Sequence, residues 1–223
     1  MDRAKESASC EAVKLVRNNM TIGIGSGSTV VYFVEQLRQR VQQENLKVDC
    51  VPSSYQAKDL IIKNGLSLRD IMEYSSLDLV VDGADEIDQN RILIKGGGAC
   101  QTLEKLLASM AKQYVIIADE SKCSVNLFDN WSRGIPFEVL PNALGYVVSE
   151  VSKHAKCKVR VSDKKAGPTI SDSGNIILDV FSNDVAVIRC LERLCGVISS
   201  GLFEFDCRIF IGRSDGTSFE INN

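Results

Sequence analysis

Histidine is nearly absent from this sequence, since His154 is the only one among 223 residues. It lies in the polar stretch SKHAKCK, where we expect it at the surface. The eight cysteines form no C-x-x-C pair, so the chain lacks the closely spaced ligands from which zinc sites are usually built. Metal ligation is therefore disfavoured, and an enzyme of this sequence would have to perform acid–base chemistry with carboxylates or lysines.

Long apolar runs and long basic runs are also missing. No apolar stretch approaches the ~18 residues that cross a bilayer, and the opening stretch MDRAKESASCEAVKLV has no signal-peptide core. A net charge of −3 disfavours nucleic acid or an anionic membrane as the main partner. Cysteines inside apolar segments such as IRCLERLCGVI predict buried, reduced thiols and a cytoplasmic location, although an organelle reached with a transit peptide that is later removed stays open.

Strand and helix patterns alternate over the first 120 residues. Strands are predicted at 21–25, 46–54 and 77–83, at the start of 91–98 and at the start of 114–122, and helices at 8–19, 30–43, 55–65 and 100–113. This alternation predicts a parallel sheet covered by helices.

The pattern changes after residue 127, where NLFDNWSRGIPFEVLP is rich in turn formers. A helix at 143–154, strands around CKVRVS and NIILDVF and a helix near 184–194 indicate a small α+β unit. The later segment RIFIG is a strand that could return to the first sheet. We therefore predict one domain from 1–127 and 201–223, and a second from 128–200.

Four predicted strands end in unusual loops: GIGSGSTV (23–30), DGADEID (82–88), KGGGACQTLE (95–104) and ADESK (118–122). If these strands are parallel neighbours, all four loops gather at one edge of the sheet, where open α/β sheets bind ligands.

The first loop is rich in glycine and hydroxyls and opens a helix. Backbone N–H groups at a helix N-terminus favour an anion, and the hydroxyls of Ser26, Ser28 and Thr29 could add donors. The loop is neither a Walker A loop nor a dinucleotide fingerprint, because Ser28 stands where the third glycine of that fingerprint would be. A plain strand-to-helix turn with an N-cap is the alternative.

The third loop has three consecutive glycines between Lys95 and a helix. Such a run weakens a regular element unless the backbone has to approach something closely. Glu104 lies about one turn into the following helix, where it could also serve only as a helix cap or complement the helix dipole.

The acids of DGADEID lack the ligand order of a calcium-binding EF-hand loop. Asp82 and Asp85 flank two small residues at the strand end, so both carboxylates could approach a ligand, whereas we expect Glu86 and Asp88 to face water in a turn. An anion loop, paired carboxylates, lysines and one Glu together suggest a sugar phosphate.

The motifs GIGSGST, VDGADEID, KGGGAC followed by EK, ADESK and PFEVLP occur in this order. Together they resemble the ribose-5-phosphate isomerases of type A, and SDSGNIILDV and GVISSGLF resemble later segments of that family, so the resemblance covers nearly the whole chain. It implies an α/β fold: a Rossmann-like parallel-sheet domain with a smaller ferredoxin-like α+β domain, in a homodimer or homotetramer without cofactor or metal.

The resemblance further implies an aldose–ketose isomerase that interconverts D-ribose 5-phosphate and D-ribulose 5-phosphate through an enediol, in the pentose phosphate pathway. The family's base falls on Glu104. Its substrate-binding segments fall on Ser26, Gly27, Ser28, Thr29, Asp82, Gly83, Ala84, Asp85, Lys95, Gly96, Gly97, Gly98 and Lys122.

Roles can be assigned within this set as hypotheses. With only one His, a carboxylate is the natural base for moving a proton between two carbons, and the positive charge and donors for the enediolate would come from Lys95 and the glycine N–H groups. We expect Asp82 to shuttle the ring-opening proton and Asp85 to hold hydroxyls. Phosphate would bind at Ser26, Ser28 and Thr29, with charge from Lys5 or Lys122.

Three rival readings are weaker. A CoA transferase would use a Glu nucleophile but does not explain DGADEID together with KGGG, and a sugar-phosphate deaminase or lactonase would favour a His near the motifs. A sensor that kept the pocket and lost the chemistry would usually carry a DNA-binding helix-turn-helix segment, for which no spare length exists.

Overall fold

A computed structural model of the chain describes residues 1–162 and 165–221. The helices within these residues are α1 (Asp2–Val13), α2 (Ser28–Glu44), α3 (Tyr55–Lys63), α4 (Gln101–Met110), α5 (Leu144–Val151) and α6 (Val185–Leu191). The strands are β1 (Thr21–Ile24), β2 (Asp49–Pro52), β3 (Ser67–Leu68), β4 (Leu79–Asp82), β5 (Glu86–Ile87), β6 (Leu93–Ile94), β7 (Tyr114–Asp119), β8 (Ile135–Val139), β9 (Lys156–Val159), β10 (Val161–Ser162), β11 (Lys165–Pro168), β12 (Ile176–Phe181), β13 (Val197–Ser200), β14 (Leu202–Phe203), β15 (Arg208–Gly212) and β16 (Ser218–Ile221). None of the helices described is long and apolar enough to cross a membrane.

The chain divides into two compact units. The first unit comprises residues 1–84, 104–122 and the segment from Phe205 onward, and the second comprises residues 85–103 and 123–204. Compactness does not test which segments fold alone, so the predicted domains, 1–127 with 201–223 and 128–200, stay a prediction.

The first unit is built on a seven-stranded sheet in the order β16-β15-β7-β4-β1-β2-β3, parallel except for β16. Every residue of β4 and β7 is buried, which is why both strands read as continuous apolar runs. The apolar face of α2, with Phe33, Val34 and Leu37, packs into the core beside Ile22 and Val81. The predicted parallel sheet is confirmed, and so is the return of RIFIG to it, since β15 pairs with β7.

The second unit contains an antiparallel sheet in the order β13-β8-β12-β9, with α5 between β8 and β9 and α6 between β12 and β13. This β-α-β-β-α-β path is the ferredoxin-like arrangement that was predicted. The strand β8 was missed at the sequence level, because its Pro136 and the turn formers before it argue against a central strand. All five residues of β8 are nevertheless buried.

The strand before the triple glycine differs from expectation. β6 has only two residues and pairs antiparallel with β5 and β14 in a separate three-stranded sheet of the second unit. The prediction that all four loops meet at one edge of one parallel sheet is therefore wrong for the third loop. It is confirmed for the loops after β1, β4 and β7, which are adjacent strands.

The eight cysteines are all free thiols, as predicted, but they are not uniformly buried. Cys10, Cys190 and Cys195 are exposed. Cys10 in α1 and Cys190 in α6 have apolar neighbours in sequence, but neighbouring residues of a helix do not share one face, and Cys195 lies in a turn after α6. Cys50 in β2 is fully buried, and this burial, assisted by the charge of Asp49, raises the pKa of its thiol to about 12. His154 is exposed, as expected.

Candidate active site

The loop after β1 forms a hydroxyl cluster at the start of α2. Ser26 Oγ donates to Ser54 Oγ at 2.6 Å and lies 3.0 Å from Ser53 Oγ. Gly27, the N-cap of α2, has a φ of 112°, a conformation that favours glycine. Its N–H donates to Gln56 Oε1 at 2.9 Å. The cluster and the first N–H groups of the helix together offer donors to an anion such as a phosphate.

Two further residues complete this part of the first unit. Lys5 in α1 donates from Nζ to Ser28 Oγ at 2.9 Å, which brings a positive charge to the start of α2. Thr29 is buried in the first turn of that helix. Ser53, Ser54 and Gln56 were not predicted, although their stretch SSYQ directly follows β2 and β2 is the neighbour of β1.

Asp82 ends β4 with a fully buried side chain. Its Oδ1 accepts hydrogen bonds from the N–H of Gly83 at 2.7 Å and from the N–H of Ser26 at 3.1 Å. Gly25 lies against it so closely that a Cβ added there would be 2.1 Å from Asp82 Cγ. The glycine in GIGSGST is therefore required by the approach of the carboxylate, and the first loop holds Asp82 in one position.

Tyr114, at the start of β7, is a residue of this region that the sequence did not single out. Burial raises the pKa of its phenol well above the usual value, and the negative charges of Asp82 and Glu104 act in the same direction. The phenol is therefore neutral and able to donate, and its hydroxyl finds no hydrogen-bond acceptor within residues 1–162 and 165–221. Glu104 itself lies in the first turn of α4 and is only 4% exposed.

In the second unit, the triple glycine lies against Asp85. The N–H of Gly97 donates to Asp85 Oδ2 at 2.7 Å, and a Cβ added to Gly97 would be 2.9 Å from Asp85 Oδ1 and from the ring of Trp131. Gly96 has a φ of 94° and no space for a side chain beside Pro136 and Gln101. Asp85 is partly exposed, so the carboxylate can still reach a ligand.

Lys95 precedes the glycines and is buried, with Nζ 5.5 Å from the centre of the Phe203 ring. A cation held out of water exerts a stronger field than one on the surface. Such a charge beside flexible backbone N–H groups suits a site that stabilises an oxyanion.

The prediction that Glu86 and Asp88 face water is wrong, because both side chains are buried. The two carboxylate oxygens of Glu86 accept from the N–H groups of Phe128 at 2.7 Å and Asn130 at 2.8 Å. Asp88 accepts from the N–H groups of Asn90 and Ile92 through one oxygen. Both acids therefore hold loops of the second unit together, a use that acid density in a sequence does not distinguish from solvation.

The structure thus places the predicted site residues in two sets. The first unit holds Ser26, Gly27, Ser28, Thr29, Asp82, Gly83, Ala84, Glu104 and Lys122, and the second holds Asp85, Lys95, Gly96, Gly97 and Gly98. Lys122 ends a 3-10 turn after β7 and is partly exposed. Within the described ranges, no group of three or more His, Cys, Asp or Glu side chains is arranged to hold a metal ion.

Comparison with known proteins connects this arrangement to one family. The family model of ribose 5-phosphate isomerase A (phosphoriboisomerase A) matches residues 49–216. The ribose-5-phosphate isomerase of Homo sapiens is 43% identical to this chain over an alignment 224 residues long, which covers 97% of this chain and 72% of the human protein.

Solved structures agree. The ribose 5-phosphate isomerase A of Methanocaldococcus jannaschii is 36% identical and superposes with a TM-score of 0.92 over 100% of this chain and 99% of that one. A D-ribose-5-phosphate isomerase solved in complex with phospho-erythronic acid is 32% identical, with a TM-score of 0.89 over 98% of this chain and 97% of that one. The α/β fold, the ordered motifs and these likenesses agree, and the chain belongs to the ribose-5-phosphate isomerase A family.

Proposed function

We propose that Glu104 is the base with which this chain interconverts D-ribose 5-phosphate and D-ribulose 5-phosphate, the aldose–ketose isomerisation of the non-oxidative pentose phosphate pathway that characterises its family. The observation that carries this assignment is the position of Glu104. It is a buried carboxylate in the first turn of the helix that follows the glycine loop.

The isomerisation needs one base that serves two carbons. Glu104 would take the proton from C2 of the open-chain aldose, and the electron pair left behind would form the C1–C2 double bond of an enediolate while the C1 carbonyl oxygen becomes negative. The hydroxyl proton on O2 would pass to the negative O1 oxygen, C2 would become a carbonyl, and the same carboxyl group would return its proton to C1. Burial keeps bulk water away from the carboxyl group, which favours return of the proton to the substrate.

The negative oxygen of the enediolate needs donors that are already in place. Lys95, buried beside Phe203, and the N–H groups of the glycine loop are the groups we assign to it. A backbone that lacks side chains can approach the substrate oxygen closely, which gives the three glycines a chemical reason.

Binding and ring opening would fall to the remaining residues. Ser26, Ser28 and Thr29 would hold the phosphate, with charge from Lys5 or Lys122. Asp85 is partly exposed and would accept hydrogen bonds from sugar hydroxyls. Asp82, fixed by two N–H groups, would move the proton that opens the furanose ring.

The relative that binds phospho-erythronic acid supports a sugar-phosphate ligand. That compound has a phosphate at one end and a planar carboxylate at the other. The carboxylate matches the planar, negatively charged end of an enediolate. A site that binds it needs both an anion loop and oxyanion donors, and this chain has both kinds of group.

The assembly and location are also proposals. We infer a homodimer or homotetramer, the assembly that the family resemblance implies. A cytoplasmic location agrees with eight free thiols.

The proposal is tested by following conversion of D-ribose 5-phosphate by the purified protein, with and without EDTA. We expect D-ribulose 5-phosphate to form at the same rate in both, because no step of the proposed chemistry uses a metal ion. Loss of activity in EDTA that Mg²⁺ or Zn²⁺ restores would contradict the metal-free mechanism. Binding of ribose 5-phosphate without turnover would favour the sensor reading.

A further inference from the structure

Arg160 is a partly buried cation that the proposed chemistry does not use. It lies between β9 and β10 of the second unit, and its side chain is 14% exposed. Its backbone is fixed on both sides, since its N–H donates to the carbonyl of Ile177 and its carbonyl accepts from Thr169, each at 2.8 Å. The guanidinium pairs with Asp179 of β12, with Nε 3.0 Å from Oδ2.

The rest of this guanidinium faces the glycine loop. Nη1 donates to the carbonyl of Gly96 at 2.8 Å and to the carbonyl of Gly97 at 3.3 Å. In a trans peptide the carbonyl and the following N–H point in opposite directions. Carbonyls held toward Arg160 therefore turn the N–H groups of Gly97 and Gly98 away from it, and the first of these does meet Asp85.

This orientation is not one that the loop would keep unaided. Consecutive glycines have more backbone freedom than any other sequence, and Gly96 has a φ of 94°. The ion pair between Arg160 and Asp179 is also not explained by stability alone, because apolar residues of similar volume often stabilise a fold at least as well as a buried ion pair does. The planar fork of Arg160 can bind Asp179 and two carbonyls together, which a lysine could not do.

A second anchor holds the other end of the same segment. Thr102, in the first turn of α4, donates to Glu138 of β8, a motif residue (PFEVLP) that the proposed chemistry leaves without a role. Glu138 is 1% exposed, and its other oxygen accepts from Ser171 at 2.7 Å and Asn175 at 2.8 Å. Glu104 follows Thr102 by two residues in the same helix.

We propose that the antiparallel sheet of the second unit is a positioning device for the catalytic loop, with Arg160 setting the direction of the glycine N–H groups and Glu138 setting the first turn of α4. Neither residue contacts the reacting atoms, so both are positioning residues. This inference rests on the proposed isomerase function, and it gives the small α+β unit a task in that reaction.

Arg160→Met tests the first anchor. We expect kcat to fall about a hundredfold, since a displacement of about 1 Å in a site can have that effect. KM should change by less than about threefold, because the phosphate-binding residues 26–29 are untouched. The kcat of Arg160→Lys should lie between those of the wild type and Arg160→Met, because lysine keeps a cation beside Asp179 but lacks the planar guanidinium fork.

Two further variants separate positioning from stability. Arg160→Met alone leaves Asp179 without its cation and should lower the thermal midpoint. Arg160→Met combined with Asp179→Leu removes the ion pair without leaving an unpaired buried charge, so the midpoint should return toward the wild-type value while kcat stays low. Val147→Ala weakens the core of the second unit, in which Val147 is fully buried, and should lower the midpoint while kcat is kept.

Glu138→Gln tests the second anchor and should lower kcat about tenfold with KM unchanged.

The outcomes are distinct. A double variant with wild-type kcat would overturn the proposal, as would a Val147→Ala protein that loses kcat as much as Arg160→Met does. If Arg160→Met did not fold, the double variant would decide. A wild-type protein that binds but does not isomerise ribose 5-phosphate would instead contradict the proposed function, whatever the variants do.

Discussion

The two glycine loops of this chain each lie against one acid of the same short stretch, but with different tightness. In the first unit, Asp82 is fully buried against Gly25 and accepts two backbone N–H groups through one oxygen. In the second unit, Asp85 is partly exposed and accepts the single N–H of Gly97. One acid is fixed and the other remains accessible, which agrees with a proton carrier at Asp82 and a hydroxyl acceptor at Asp85.

The largest effect expected from a change in either glycine loop separates these two acids directly. Gly25→Ala would place a Cβ 2.1 Å from Asp82 Cγ, so the carboxylate has to move. We expect kcat to fall about a hundredfold or more and the free energy of unfolding to fall by about 1–3 kcal/mol. Gly97→Ala, whose Cβ would meet Asp85 Oδ1 at 2.9 Å, should be milder because that side chain can swing toward solvent.

Steady-state kinetics and thermal unfolding of both variants make the comparison. Gly145→Ala is the control, since Gly145 lies in α5 with no atom near its added Cβ and should gain about 0.5–1 kcal/mol of stability. Equal losses in Gly25→Ala and Gly97→Ala would show that the two acids are held with equal tightness and would contradict the difference drawn between them.

A smaller effect is expected at the start of α2, where Lys5 contacts Ser28. Lys5→Met removes a cation from the proposed phosphate site but leaves the reacting carbons alone. KM for ribose 5-phosphate should rise about tenfold while kcat changes little, because the lost contact is equal in ground state and transition state.

Lys14→Met, at the C-cap of the same helix, is the matched control. Lys14 pairs with Glu11 on the surface and should have no effect on either constant. A fall in kcat with unchanged KM in Lys5→Met would place Lys5 near the reacting end of the sugar instead.

The smallest effect on activity is expected at Glu86, which the structure assigns to loop support. Glu86→Gln replaces one of two acceptor oxygens by a donor that faces a backbone N–H. The free energy of unfolding should fall by about 1–3 kcal/mol, while KM and kcat stay close to wild type well below the melting temperature. Urea unfolding checks the first part, with Asp59→Asn, which breaks an exposed pair with Lys63, as the control.

Much of the first unit could be predicted from sequence because its strands are buried on both faces and therefore read as plain apolar runs. β4 and β7 are of this kind. The carboxyl ends of parallel strands meet at one edge of a sheet, and this placed Asp82 and Ser26 correctly in the loops at that edge. The loop after β2 lies at the same edge, but its Ser53 and Ser54 were not predicted.

The second unit was harder to predict because its determinants are tertiary. Pro136 and the turn formers before it concealed β8, and two residues of β6 were too few to show that this strand belongs to another sheet. Glu86 and Asp88 look like surface acids in the sequence, because the hydrogen bonds that they accept from backbone N–H groups form only when the loops fold. The contacts of Arg160 and Glu138 could not be predicted for the same reason, since the side-chain partners of both residues are 19 or more residues away in the sequence.

The central claim is that Glu104 carries the proton between C1 and C2. Glu104→Gln keeps the shape of the side chain and removes its ability to act as a base. We predict that kcat falls by about 10²- to 10⁴-fold while phospho-erythronic acid, titrated calorimetrically, binds within a few-fold of its affinity for the wild type. A variant that kept more than about a tenth of wild-type kcat would contradict the assignment, because a single general base normally contributes far more than that.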